Sequence, residues 1–86
     1  MLSEYGKFTR KLRIDNGELL KDMAIKLGVT TSYLSAVEVG KRNIPDSWRD
    51  LIINEYNLSD DQIKEMDEAI YNSQKVIKLK LDSYSD

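Results

Sequence analysis

Gly6, Gly17, Gly28, Gly40 and the single Pro45 all fall within the first 45 residues and cut that stretch into short pieces. A chain punctuated this often cannot form one long helix there. Most of the pieces instead carry the 3.6-residue spacing of short amphipathic helices. In SEYGKFTRKLRIDN, Ser3 is placed to cap, and Tyr5, Phe8, Thr9 and Leu12 form one stripe, with Lys7, Arg10, Lys11 and Arg13 on the other faces. In ELLKDMAIKL, Leu19 or Leu20 shares a side with Met23, Ala24 and Leu27, and Glu18 is expected in the first turn, where the helix dipole favours it. Gly28 ends that helix.

Thr30 is expected to cap a third helix, Thr31 to Val39, whose Leu34 and Val37 must face the core together, and Gly40 to end it. Pro45 and Asp46 suit the first turn of a fourth helix carrying Trp48, Leu51, Ile52 and Tyr56 inward. Ser59 with Gln62 forms a capping box ahead of Ile63, Met66, Ala69 and Ile70, the clearest helix start in the chain. The tail KVIKLKLD changes period to two, with Ile77, Leu79 and Leu81 on one side and Val76, Lys78 and Lys80 on the other. It reads as a strand, and a lone strand would seek the same strand of another copy, so a homodimer is expected. The alternative is an extended tail over a helical core. The expected organisation is an all-α body over residues 1–74 and a short C-terminal strand or tail over 75–86.

With 86 residues the chain is one domain with room for one modest core. It contains no cysteine and no histidine. Disulfides, thiolate catalysis, zinc fingers and imidazole-based triads are therefore excluded, and no cofactor or metal is expected. No apolar run approaches the length of a membrane span or signal peptide, so the expectation is a cytoplasmic protein, bacterial or phage-encoded, with no membrane partner. The net charge of -2 conceals a polarity. Residues 1–49 hold nine Lys/Arg against six Asp/Glu, net +3, and residues 50–86 hold four against nine, net -5.

The stretch GVTTSYLSAVEVGKRNIP lies on the positive half. Two short helices crossing through a tight turn need a small residue at the crossing, a residue tolerant of positive φ in the turn, and apolar anchors on the second helix. Ala24, Gly28, Leu34 and Val37 supply them. The side opposite Leu34 and Val37 presents Ser32, Ser35, Ala36 and Val39, with Thr31 at its edge, a face without charge or bulk. Short hydroxyls and a methyl allow close approach and can bond base edges or touch a thymine methyl. Lys41, Arg42 and Asn43 follow directly, where they can hold a phosphate backbone.

From Gly6 to Leu58 these residues resemble the lambda-repressor-like, XRE-type helix-turn-helix family of phage repressors and small bacterial regulators. The resemblance is carried by Arg13, Met23, Ala24, Leu27, Gly28, Val29, Ser32, Tyr33, Leu34, Ser35, Val37, Glu38, Gly40, Lys41, Arg42 and Asn43, and the run GVTTSYLSAVEVGKRN is close to the family's turn, recognition helix and exit loop. It implies a five-helix DNA-binding domain with its third helix in the major groove, and a sequence-specific transcriptional regulator, expected to repress. It makes Thr31, Ser32, Ser35 and Ala36 base-contacting, and Tyr33, Lys41, Arg42 and Asn43 phosphate-contacting. It pairs Arg13 with Glu38 as a structural contact. The implied partner is double-stranded DNA carrying an inverted repeat, bound by a homodimer. This chain departs from the family at Leu19 and Leu20, where Ser or Thr followed by Gln is common, and at Ala36, where a long polar residue often sits. Reading would then lean on DNA shape and thymine methyls.

A second reading is an antitoxin or other interaction module that binds a protein partner such as a toxin, through the acidic helix Asp60 to Glu68 or the hydrophobic strand. An enzyme is the third. Asp60, Asp61, Glu65, Asp67 and Glu68 look like paired carboxylates, but without a partner base or glycine loop they read as the solvated start of a helix, and no catalytic residue is assigned.

Overall fold

Ser3 shows how the first helix is fixed from both ends of its hydroxyl: the oxygen accepts from the Gly6 amide at 3.1 Å and the O–H donates to the Glu38 carbonyl at 2.8 Å. The computed structural model describes the backbone of residues 2–84 and the side chains of residues 2–74. Among them it is all-α, with five helices and no strand: α1 Glu4–Asp15, α2 Leu20–Leu27, α3 Thr31–Glu38, α4 Trp48–Tyr56 and α5 Asp60–Tyr84.

Eight residues make a helix too short to persist alone in water, so α2 and α3 owe their place to packing. Met23, Ala24 and Leu27 of α2 and Leu34 and Val37 of α3 are buried, as the apolar spacing requires. They join Tyr5, Phe8 and Leu12 of α1, Trp48 and Ile52 of α4, Leu58, and Met66 and Ala69 of α5 in one core. Each large aliphatic or aromatic side chain taken from water there contributes roughly 1.5–3 kcal/mol before entropy is charged against it. The α1 and α5 helices pack side by side, and α1 also touches α2 and α3.

The caps follow the sequence closely in two places. Ser59 and Gln62 exchange hydrogen bonds at 2.9 and 3.2 Å, completing the capping box of α5. Thr30 accepts from the Tyr33 amide at 3.1 Å. Elsewhere the boundaries move. Glu18 lies outside α2, whose first turn starts at Leu20, because Glu18 is held by Lys26 and Tyr56 instead. Pro45 and Asp46 form a turn ahead of α4, with the Trp48 amide donating to the Pro45 carbonyl at 3.1 Å.

The largest correction concerns the C-terminal strand. Residues 75–84 continue α5, so the expected division at residue 75 falls within one helix and the strand-paired dimer loses its element. Two-residue alternation over Val76 to Leu81 is a short signal, and a strand without a partner leaves its backbone groups unpaired, whereas a helix satisfies them internally. The same sequence also fits a helical period through Ile70, Ser73, Ile77 and Leu81. No helix among the described residues is long and apolar enough to cross a membrane.

Candidate functional site

The turn between α2 and α3 is three residues long, Gly28 to Thr30. Gly28 has φ +71°, in the left-handed region, and the Val29 amide donates to the Ala24 carbonyl at 3.0 Å, closing α2 with a Schellman motif. Val29 then packs on the core, and Thr30 caps α3 at once. The chain has no slack between the two helices, so the direction of α3 is set by that of α2.

A second Schellman motif closes α3. Gly40, at φ +86°, lets the Lys41 amide donate back to the Ala36 carbonyl at 2.9 Å, with the Arg42 amide reaching the same oxygen at 3.3 Å. The backbone of the two cations is thereby tied to the end of α3. Ile44 anchors the far side of the loop on the core. Lys41, Arg42 and Asn43 are exposed, and among the described residues no carboxylate lies within ion-pair distance of Lys41 or Arg42.

The side chains expected to contact bases stand together. Thr31, Ser32, Ser35 and Ala36, with Val39, Lys41 and Leu20 of α2, line one open concavity on the outside of α3. Thr31, Ser32 and Ser35 are exposed and Ala36 is half-buried. Tyr33 belongs elsewhere. Its half-buried ring meets Trp48 edge-on, centroids 5.9 Å apart at 84°, so part of this expected phosphate contact covers the core.

The inner side of α3 is tied to α1. The Glu38 carboxylate receives both terminal nitrogens of Arg13, one at 3.1 Å, and the Thr9 hydroxyl at 2.7 Å. The Arg13 and Glu38 side chains are only 9% and 4% exposed. Arg13 also reaches the Met23 sulfur at 3.3 Å, so the cluster spans α1, α2 and α3. The Glu38 carbonyl accepts from the Ser3 amide at 2.9 Å as well as from its hydroxyl, satisfying an end-of-helix acceptor. Tyr5 lies fully buried nearby, its phenol raised in pKa first by burial and then by the Glu38 charge.

Sequence reasoning missed what makes this contact fit. Gly6 lies in the first turn of α1 at its crossing with α3, where an added Cβ would stand 2.2 Å from the Glu38 carbonyl oxygen. A glycine inside a helical pattern, off any turn, was the available signal. Ser73 of α5 accepts from the Tyr5 amide at 3.0 Å, and no short-range pattern announces that contact. Glu18 binds Lys26 through one oxygen and accepts the Tyr56 hydroxyl through the other at 2.5 Å, while Lys26 lies 4.4 Å from the Tyr56 ring centre. Burial raises the Glu18 pKa, but the bonds from Lys26 and Tyr56 outweigh it and hold the carboxyl below its ordinary value.

Leu19, at the N-cap position of α2, is 63% exposed and its side chain offers no cap; Asp22 accepts the Leu19 amide at 2.9 Å instead. Among the described residues no three acidic side chains gather where they could hold a metal ion. Compared with known proteins, the chain matches no family model, no curated protein and no solved structure.

Proposed function

We propose that this protein is a sequence-specific DNA-binding transcriptional regulator, a repressor of the lambda-repressor-like helix-turn-helix class, that lays α3 in the major groove. The observation that carries the reading is the outer face of α3. It is uncharged, short-chained and largely exposed, and it ends in two cations whose backbone is bound to the helix and which no carboxylate among the described residues neutralises. A helix face kept only for solubility carries long charged side chains, whereas this one admits another surface closely. Thr31, Ser32, Ser35 and Ala36 would meet base edges, and Lys41, Arg42 and Asn43 the phosphates beside them. Rigid attachment of the inner side supplies the fixed orientation that base reading demands.

Acting on an inverted repeat requires two copies, and with residues 75–84 helical the dimer must form through helical surface rather than strand pairing. Half-sites about 34 Å apart are then expected. The test is selection from random duplexes at physiological salt, followed by titration of the enriched sequence at rising salt. An inverted repeat whose affinity falls steeply with salt supports the reading. Failure to enrich any sequence would overturn it.

A protein-binding, antitoxin-like role is favoured by a separate observation. An open concavity on α5 is lined by Ile63 and Tyr71 among Asp60, Lys64, Asp67 and Glu68, so that acidic groups outnumber basic ones, and Tyr71 is 64% exposed. Co-purification with a basic protein encoded next to the gene, lost in Tyr71→Glu, would establish it.

A further inference from the structure

One wall of the concavity outside α3 comes from a different helix. Leu20, in the first turn of α2, lines it with Ala36 and Val39, and the polar groups beside them are hydroxyls and the Lys41 ammonium. Among the described residues no carboxylate lines it. Leu20 is half-buried, its inner part packed on the core, so it stands as a fixed wall and not as a free side chain. Among the described residues, an amide or guanidinium that could make paired hydrogen bonds to adenine or guanine is missing from the lining. What remains is aliphatic carbon next to hydroxyl donors, beside a cation that suits a polyanion.

Thymine is the base whose major-groove edge carries that combination, a C5 methyl next to an O4 acceptor. We propose that Leu20 and the outer face of α3 form a pocket for the 5-methyl group of a thymine in duplex DNA, with Leu20 as a specificity-determining residue. The proposal rests on the DNA-reading function given above and adds to it the base and the residue on α2 that selects it.

The experiment uses the duplex enriched by selection and replaces each thymine in turn by deoxyuridine, which removes one methyl group and leaves every hydrogen-bonding edge unchanged. Wild-type protein is expected to lose about fourfold in affinity at one position per half-site, the worth of one buried methyl. Leu20→Ala should bind thymine and uracil equally at that position, and Leu20→Met, which keeps the aliphatic wall, should retain the preference. The uracil scan needs only the wild-type chain, so it stands whether or not a variant folds. Equal binding of uracil at every position, with the enriched sequence still bound specifically, overturns the methyl pocket and leaves DNA reading intact. A preference that persists in Leu20→Ala overturns the assignment to Leu20. If no sequence enriches, both readings fall together.

Discussion

The inner and outer sides of α3 differ in what holds them. Inward, Leu34 and Val37 are sealed in the core and Glu38 is bound by three separate side chains or backbone groups of α1 and its cap, Thr9, Arg13 and Ser3. Outward, Ser32 and Ser35 are exposed, and Lys41 and Arg42 beyond them are held only through the backbone. The helix is thus placed entirely from one side. The other side is released from structural duty, and substitutions on the two sides should separate cleanly into those that unfold and those that only change binding.

The contrast is broken most severely at Glu38. In Glu38→Ala the Arg13 guanidinium stays buried without a counter-ion and the Thr9 hydroxyl keeps only the Gly6 carbonyl as acceptor, so denaturant titration should show a loss of about 3–5 kcal/mol. The bidentate pair Arg49–Asp67 offers an internal control. Its hydrogen bonds measure 2.7 and 3.1 Å, but both side chains are 45% exposed, and Asp67→Ala should cost less than about 1 kcal/mol. Comparable losses in the two variants would show that burial of the first pair is not what gives it weight.

Next in size is Gly6→Ala. Its Cβ would meet backbone, the Glu38 carbonyl, and neither helix can yield without pulling on Ser3 or the core, so a loss of about 1–3 kcal/mol is expected. Gly28→Val sets the comparison. Nothing lies within 4 Å of a Cβ there, and its penalty comes only from a β-branched residue at φ +71°, about 1–2 kcal/mol. A larger loss at Gly28 than at Gly6 in thermal melts would mean that the turn, not the crossing of α1 and α3, governs the placement of α3.

These two glycines also mark how far the sequence could be read. Gly28 follows an amphipathic run and precedes a capping threonine, so its left-handed turn was legible locally. Gly6 meets Glu38, and nothing within four residues of it signals a partner 32 positions away. The stripes in α1 to α4 were legible because each is short and one-sided, and the Ser59–Gln62 box fixed the start of α5. Its end was not, since alternation in residues 76–81 fits both periods and only the absence of a pairing strand decides between them. Of the candidate site, the outer residues of α3 could be placed by angle alone, while Leu20 joined them from another helix and the packing of the Tyr33 ring on Trp48 had no local signal.

A smaller effect is expected at Glu18, and it carries a sign in pH. Because the folded carboxyl lies below its ordinary value of 4.5, the carboxylate form contributes stability that is present above that value and is lost as pH falls through the lowered one. Glu18→Gln should therefore be less stable than wild type near neutrality, and the gap between variant and wild type should narrow as pH falls below about 4.5. A gap that stays constant down to acid pH would show that the carboxylate's charge is immaterial and that Glu18 holds Tyr56 by shape alone.

The smallest effect on folding is expected at Ser35, and it bears most directly on the two sides of α3. Ser35 is exposed, its side chain makes no hydrogen bond among the described residues, and glutamate is a good helix former, so Ser35→Glu should melt within about 1 kcal/mol of wild type. Its carboxylate would stand in the concavity between Leu20, Ala36 and Lys41, directed at whatever approaches that face. Against a phosphate-lined groove the added charge repels and displaces the hydroxyl, and specific DNA binding should be abolished while the fold persists. Two measurements on one sample, a melt and a binding isotherm, separate the cases. Unchanged binding by a folded Ser35→Glu would place the DNA on another surface, whereas a variant that unfolds would show that the outer side of α3 also helps to hold the helix in place.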